Sequence, residues 1–224
     1  MTTYAGQRCT STRRLFIQRD IAPKVLETLQ KAYATIPTGD PLDSSTLLGP
    51  LHNDTAVKNY HKAMLHLHNI GADVLAGGKV IHPAGFENGH FVQATIVIPP
   101  SADLDLWKKE LFAPILNVAI FDDLEEAIER NNAVPQGLSS SIWTRDIRNI
   151  GKYLGPAGSD CGIVNVRQVS TCLTSLTLLL CHRLMWALVV RRLVHHLEGT
   201  SGPAGVESQG EIVGGSMLDG ALAR

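Results

Sequence analysis

The residues with the clearest capacity for chemistry lie near the start of the chain, in AGQRCTSTRRLFI (residues 5–17). Cys9 offers a thiolate, a strong nucleophile and a workable leaving group, which suits covalent attack on a carbonyl carbon. A free thiol has a pKa of about 8.5, so a site must lower that value or supply a base. Gly6 lets another backbone come close, and the Cys9 backbone N–H can point at a developing oxyanion. The alternative is a buried structural cysteine, a common role for this residue type.

Other candidate residues have structural interpretations when their types are considered alone. In KKELFAPIL, Glu110 is typical of a solvated loop acid and Phe112 of a core aromatic. Arg13 and Arg14 can pair with acids, although a solvated strand edge is the favoured interpretation. A functional role for these four residues therefore needs support beyond residue type.

No metal site is predicted. The cysteines show neither a CxxC pair nor zinc-ligand spacing; they are Cys9, Cys161, Cys172 and Cys181. His61, His66 and His68 share one predicted helix, but spacings of five and two residues do not stack as i and i+4 would. We expect these histidines to form a solvated face and Cys161 to lie in the core.

Helix-like and strand-like stretches alternate before residue 167, and they must position the candidate residues. Helices are predicted over 20–36, 54–71, 123–134 and 146–155. Asp20 is the expected N-cap of the first helix, and Gly71 is the expected stop of the second. A strand follows Cys9, and further strands are predicted over 72–78, 90–100, 115–121, 137–144 and 161–166. This alternation predicts an α/β fold with a largely parallel sheet flanked by helices.

The overall composition is typical of a globular protein and excludes several classes of partner. The chain has 224 residues, 44% hydrophobic and 18% charged, with a formal net charge of −1. No basic field points to nucleic acid, and the start MTTYAGQRC lacks the pattern of a secretory signal. Free cysteines fit a reducing compartment, so we expect a cytoplasmic protein.

The composition changes near residue 167, which divides the chain into residues 1–166 and a tail over 167–224. The tail contains no Lys, Asn, Phe or Tyr, but it has eleven Leu and five Arg. The missing amino acids have A/T-rich codons, which suggests a GC-rich segment translated by read-through or in a shifted frame. We expect a Leu-rich and then Gly/Ser-rich tail that is poorly ordered. A membrane span over 169–194 is disfavoured, because Arg183 falls near its middle.

Five ordered motifs together resemble the NAD(P)-dependent aldehyde dehydrogenases. They are AGQRCTSTRRLFI, GPLHNDTAV, KKELFAPIL, NNAVPQGLSSSIWT and GPAGSDCGIVNV. The last two motifs most resemble the family-7, antiquitin-like branch. The resemblance covers residues 5–166 and implies the C-terminal part of that family's catalytic domain, followed by a non-homologous tail.

The resemblance implies specific roles for five residues. Cys9 corresponds to the catalytic nucleophile, which forms a thiohemiacetal and then a thioester. Glu110 corresponds to the glutamate that holds the nicotinamide ribose of NAD, and Phe112 to the aromatic near the nicotinamide. Arg8 and Thr10 would face the substrate tunnel; the alternative for them is a surface arginine and a turn threonine.

The resemblance also sets expectations about activity. It places the cofactor domain and the general-base glutamate upstream of Met1, and the aldehyde-anchoring loop would follow residue 166. We therefore expect the chain alone to bind no cofactor and to be inactive, while its family oxidises an aldehyde to the acid with NAD; a semialdehyde is the favoured substrate. The family adds a mitochondrial location as the alternative to the cytoplasm. The alternatives are a non-catalytic module that docks on full-length subunits, or a membrane-associated fragment.

Overall fold

A seven-stranded sheet with helices on both faces forms the body of the protein. The computed structural model describes residues 3–101, 105–167 and 186–190. The helices are α1 (Ala22–Ala34), α2 (Asp54–Asn69), α3 (Asp105–Lys108), α4 (Leu124–Asn132) and α5 (Ile147–Leu154). The strands are β1 (Arg14–Gln18), β2 (Asp73–Ala76), β3 (Val80–Ile81), β4 (Phe91–Val92), β5 (Thr95–Ile98), β6 (Ile115–Phe121), β7 (Ser139–Ile142), β8 (Ile163–Val166) and β9 (Trp186–Val190).

The sheet order is β2-β5-β6-β1-β9-β7-β8, and β3 and β4 form a separate hairpin. β2 pairs antiparallel with β5, while every other pairing in the large sheet is parallel. This arrangement confirms the predicted α/β fold with a largely parallel sheet. Parallel strands are normally buried on both faces, and the buried residues of β1 follow that rule.

Successive residues of β1 pack into different cores because their side chains alternate between the two faces of the sheet. Leu15 and Ile17 join a cluster that includes Val25 of α1. Phe16 joins a cluster that includes Ile128 of α4 and Tyr153 of α5. The strand that follows Cys9 is therefore held from both sides.

Polar side chains cap the N-termini of three helices. Asn53, Asp123 and Asp146 cap α2, α4 and α5, each through a side-chain oxygen that accepts a backbone N–H. Gly71 follows the end of α2 with φ of 73°, as expected. The predicted N-cap Asp20 is wrong, because it lies in a 3₁₀ turn (Arg19–Ile21) and α1 begins one residue after Ile21.

The predicted strands differ from the structure in two places. The predicted strand over 90–100 is two strands, β4 and β5, separated by Gln93 and Ala94. The short strand β3, which pairs with β4, had not been predicted.

One strand of the sheet comes from the segment that the sequence marks as a tail. β9 lies between β1 and β7 and pairs in parallel with both of them. β1 and β7 are thus joined through β9, not through each other. Cys172, Cys181 and most of the segment over 169–194 lie outside the described residues. Among the described helices, none has the length and the apolar character of a membrane span.

Candidate functional site

Two loops meet at the amino ends of neighbouring parallel strands. The loop with Cys9 leads into β1, and the loop with Glu110 and Phe112 leads into β6. β1 and β6 pair in parallel with Arg14 opposite Asn117, so the segments that precede them lie side by side. The backbone N–H of Asn117 donates to the carbonyl oxygen of Arg13 at 2.8 Å.

The backbone at Gly6 lies close against the second of these loops. It has φ of +72°, and a Cβ atom there would lie 2.4 Å from the carbonyl oxygen of Ala113. Contacts below 3.0 Å are not observed for real Cβ atoms, so only glycine fits at this position. Ala5 and Phe112 also have positive φ, at 50° and 49°. The close approach suggested by Gly6 is therefore present, and it joins the cysteine loop to the Glu110–Phe112 loop.

Cys9 lies in a tight turn closed by Arg8 and Ser11. The Ser11 N–H donates to the Arg8 carbonyl oxygen at 3.1 Å, and the Arg8 N–H donates to the Ser11 Oγ at 3.2 Å. Cys9 is a free cysteine, half-buried like Thr10, while the Arg8 side chain is exposed. The turn fixes the backbone on both sides of the thiol.

Arg13 is buried, which contradicts the expectation of a solvated strand edge. Its Nη1 donates to Glu110 Oε1 at 2.5 Å, and its Nη2 donates to the Arg8 carbonyl oxygen at 3.2 Å. Its guanidinium carbon lies 4.6 Å from the centre of the Phe112 ring. Burial lowers the pKa of Arg13, and the charges of Glu110 and Cys9 oppose that shift. Arg13 thus lies between the two loops and contacts both.

Arg14 is also buried, but it donates hydrogen bonds to α4. Its Nη1 and Nη2 donate to the carbonyl oxygens of Arg130 and Asn131 at 3.0 and 3.1 Å, near the C-terminal end of α4. Burial lowers its pKa to about 10, and the charges of Cys161 and Tyr153 oppose the shift. A cation at a helix C-terminus satisfies carbonyl groups that lack helical partners. Arg14 therefore anchors α4 to β1.

A cleft of about 800 Å³ borders the cysteine loop, and that size suits a small ligand. It is lined by Gln7, Arg8, Pro41, Thr46, Leu47, Gly49, Pro50, His52 and Phe112. The Gln7 side chain ties the cysteine loop to the far wall of the cleft. Its Oε1 accepts the His52 backbone N–H at 2.8 Å, and its Nε2 donates to the Pro50 carbonyl oxygen at 3.2 Å.

The structure gathers the predicted site residues around this cleft at different depths. Arg8 and Phe112 line the cleft, and Phe112 is 38% exposed, so it is not a core residue. Glu110 lies behind them against Arg13, and its side chain is only 14% exposed, so it is not a solvated acid. Cys9 and Thr10 lie in the adjacent turn and do not line the cleft.

Sequence reasoning missed the contributions of Gln7, His52 and Arg13. Gln7 and Arg13 stand inside the motif that carries Cys9, and that position was the available signal. The contact of Gln7 with His52 spans 45 residues, so no local pattern indicates it.

No metal centre is found in the part of the chain that the structure describes, where no three His, Cys, Asp or Glu side chains are grouped. His61, His66 and His68 are exposed on α2, as expected of a solvated face. Cys161 is half-buried and packs against a core cluster, close to its predicted place.

Comparison with known proteins identifies the family. The family model described as "Aldehyde dehydrogenase family" matches residues 1–177. The chain belongs to the aldehyde dehydrogenase family. It is 50% identical over 162 residues to aldehyde dehydrogenase family 7 member A1 of Brassica napus, which covers 72% of this chain and 32% of that protein. It is 48% identical over 163 residues to α-aminoadipic semialdehyde dehydrogenase of Mus musculus, covering 72% of this chain and 29% of that protein.

Solved aldehyde dehydrogenase structures share the fold. Betaine aldehyde dehydrogenase of Staphylococcus aureus, in complex with NAD⁺, superposes with a TM-score of 0.70 at 23% identity, over 75% of this chain and 33% of that chain. A structure of 3,6-anhydro-L-galactose dehydrogenase in complex with NAP gives 0.69 at 27% identity, over 73% and 34%.

This aldehyde dehydrogenase chain spans about a third of the length of the curated relatives that it matches. The family match also continues to residue 177, past the compositional change near residue 167. The division into residues 1–166 and a tail remains a prediction.

Proposed function

We propose that this chain carries the nucleophile side of an aldehyde-oxidising site of the family-7 type. One observation supports this most directly: the Gly6–Ala113 approach sets the Cys9 turn against the loop that bears Glu110 and Phe112. A nucleophile beside a cleft, with a carboxylate and an aromatic on the facing loop, is an arrangement that fits covalent chemistry on a small substrate. A semialdehyde is the favoured substrate class.

In the proposed reaction the Cys9 thiolate adds to the aldehyde carbon and forms a thiohemiacetal. The Cys9 backbone N–H stabilises the oxyanion, while Arg8 and Thr10 flank the substrate. NAD, when bound, supplies the acceptor for the hydride. Loss of that hydride leaves a thioester on Cys9, and water then releases the carboxylic acid and restores the thiol.

The residues present fit a nicotinamide nucleotide. Glu110 would hold ribose hydroxyls, because a carboxylate accepts hydrogen bonds through both of its oxygens. The ring of Phe112 is open to the cleft and would pack near the nicotinamide. The chemistry of these side chains therefore suits the cofactor of the family.

Acylation of Cys9 tests the nucleophile without any cofactor. With p-nitrophenyl acetate, the thiolate attacks the ester carbonyl, p-nitrophenolate leaves, and an acetyl thioester remains on sulfur. We expect a burst of p-nitrophenolate absorbance at 400 nm and a mass increase on the Cys9 peptide. Cys9→Ser should abolish the burst, whereas Cys161→Ser should keep it. Acylation of Cys9 no faster than that of a small free thiol would overturn the proposal.

A second assay separates nucleophilic attack from oxidation. We propose that turnover needs parts of the family fold beyond the third of its relatives' length that this chain covers. The chain with NAD and a semialdehyde should then produce no NADH absorbance at 340 nm, even where Cys9 is acylated. NADH production at an ordinary enzymatic rate would show that this restriction is wrong.

A second candidate function is docking on full-length subunits, and the edge of the sheet favours it. Among the described strands, β8 pairs only with β7 and so forms one edge of the sheet. An edge strand presents backbone groups that can pair with another chain. Co-purification with a full-length family-7 enzyme would support docking, and a monodisperse monomer that ignores that enzyme would oppose it.

A further inference from the structure

Arg13 makes three contacts around the proposed site. One nitrogen bonds Glu110 on the loop before β6, and the second bonds the Arg8 carbonyl oxygen in the Cys9 turn. The face of the guanidinium lies 4.6 Å from the centre of the Phe112 ring. A single side chain therefore contacts the cysteine turn, the carboxylate and the aromatic of the proposed site.

We propose that Arg13 is a positioning residue that clamps the Cys9 turn to the Glu110–Phe112 loop and sets the orientation of both. The proposal rests on the proposed function for its purpose, but the clamp itself is a structural statement. Arg13 would act through Glu110 and Phe112 and would not itself react.

The shape of arginine explains why this residue type is needed. The guanidinium is planar and carries several N–H donors in a fixed fork, so it can bond two acceptors and stack on a ring at once. Lysine carries an equal charge as a compact ammonium on a flexible stem. It could pair with Glu110 but could not also keep the second bond and the stacking.

Because the side chains of Arg13 and Glu110 are both mostly shielded from solvent, we expect the loss of either one to disturb both loops. The side chains of Arg13 and Glu110 are only 9% and 14% exposed, so water screens their attraction poorly. Removing either partner leaves the other charge buried without its main counter-charge. Loss of Glu110 should therefore disturb the cysteine turn, although Glu110 itself does not lie in that turn.

Hydrogen exchange read by mass spectrometry tests the clamp, and it needs neither cofactor nor turnover. The peptides to follow cover residues 5–12 and 109–114, with α1 as an internal reference. We expect Arg13→Gln and Glu110→Gln each to speed exchange of both peptides by about tenfold, the effect of losing one charge-assisted hydrogen bond. The double variant should exchange no faster than either single variant.

Arg13→Lys separates a clamp from a simple charge pair. It should restore slow exchange of residues 109–114, through its bond to Glu110, but not of residues 5–12. Arg14→Gln is the matched control: an equally buried neighbour whose loss should speed exchange near the end of α4 and leave both site peptides unchanged.

Two results would overturn the proposal. The first is a Glu110→Gln variant with normal exchange in residues 5–12. The second is a double variant whose effect is the sum of the two single effects. If Arg13→Gln fails to fold, Glu110→Gln and Arg13→Lys still decide the question. Failure of Cys9 acylation would remove the proposed function and leave these exchange results valid.

Discussion

Two regions next to β1 each contain a buried arginine and a free cysteine, but the two arginines have different hydrogen-bond partners. In the site region, Arg13 contacts Glu110 and Phe112, and Cys9 lies in a turn beside a cleft. In the helix region, Arg14 bonds backbone carbonyls of α4, and Cys161 lies near it. Arg13 donates to a side-chain carboxylate as well as to a backbone carbonyl, whereas Arg14 donates to two backbone carbonyls and lies 5.8 Å from the centres of the Phe16 and Trp107 rings.

The difference shows that burial of a charged residue does not by itself mark a functional site. Arg13 and Arg14 are 7% and 3% exposed, and burial lowers the pKa of both. Both arginines lie near aromatic rings, so their hydrogen-bond partners distinguish them. Carbonyl oxygens at a helix end are structural acceptors, whereas a carboxylate next to a ring that lines a cleft can meet a ligand.

The largest loss of stability is expected when β9, the strand that joins β1 to β7 in the sheet, is removed. Ending the chain at Arg167 removes β9, which pairs with β1 on one side and with β7 on the other. The two ladders contain three and four residue pairs, so their loss should lower the free energy of unfolding by about 7 kcal/mol, given about 1 kcal/mol for each backbone hydrogen bond. Urea unfolding followed by circular dichroism measures it. A chain ending at Glu198 keeps β9 and is the control; equal midpoints for the two truncations would contradict the role of β9.

Breaking the helix region at Arg14 should have the next largest effect. Arg14→Met fills similar space but leaves the carbonyl oxygens of Arg130 and Asn131 without these donors. We expect a loss of about 3 kcal/mol in unfolding free energy, measured by urea titration, with normal Cys9 acylation. Arg19→Met is the control, because Arg19 is exposed and its bond to Asp122 should contribute little.

Gly6→Ala should destabilise the site region, with a smaller loss of unfolding free energy than Arg14→Met. The new Cβ would lie 2.4 Å from a backbone oxygen in a left-handed conformation, so both strain and a clash arise. We expect a loss of about 2 kcal/mol in stability and slower Cys9 acylation. Gly71→Ala shares the strain, at φ of +73°, but has nothing within 4 Å, so it should cost only about 1 kcal/mol. Equal losses for the two variants would mean that the loop approach is unimportant.

Elements with strong local patterns were predictable from the sequence. β6 matches the predicted strand over 115–121 residue for residue, because ILNVAIF is rich in apolar residues that suit a strand buried on both faces. α2 follows its apolar spacing, since Tyr60 and Leu67 are buried and Val57 and Met64 pack against the same core. The family resemblance likewise led to residues that the fold brings close together.

Features that depend on distant partners were not predictable. Arg13 bonds Glu110 across 97 residues, and Arg14 bonds Asn131 across 117, so neither local sequence explains their burial. Asp20 has the type of an N-cap, but a 3₁₀ turn precedes α1 and uses that position. β9 pairs with strands far from it in sequence, and nothing in a Leu-rich segment distinguishes a sheet strand from a helix.

The two cysteines allow a chemical comparison of the regions. Burial raises the pKa of the Cys161 thiol, and hydrogen bonding with Ser159 and Ser140 only partly offsets the shift. Less thiolate at neutral pH means slower alkylation, because the thiolate is the nucleophile. With iodoacetamide at pH 7, the Cys161 peptide should be labelled more slowly than both the Cys9 peptide and free cysteine. Equal labelling of Cys9 and Cys161 would remove the chemical distinction between the two regions.

The smallest effect is expected at the exposed surface of the helix region, where Glu125 of α4 pairs with Lys152 of α5. Hydrogen bonding with Asp123 and with Lys152 lowers the pKa of the Glu125 carboxyl to about 2. A lowered carboxyl pKa stabilises the fold above the unfolded value near 4.5, and that contribution is lost as the pH falls toward 2. Glu125→Gln should therefore lower the urea midpoint only slightly at pH 7, with a difference that shrinks between pH 4.5 and pH 3. A difference in urea midpoint that grows on acidification would contradict the pairing. A large difference at pH 7 would show that the Glu125–Lys152 pair on the surface holds α4 more strongly than Arg14 does.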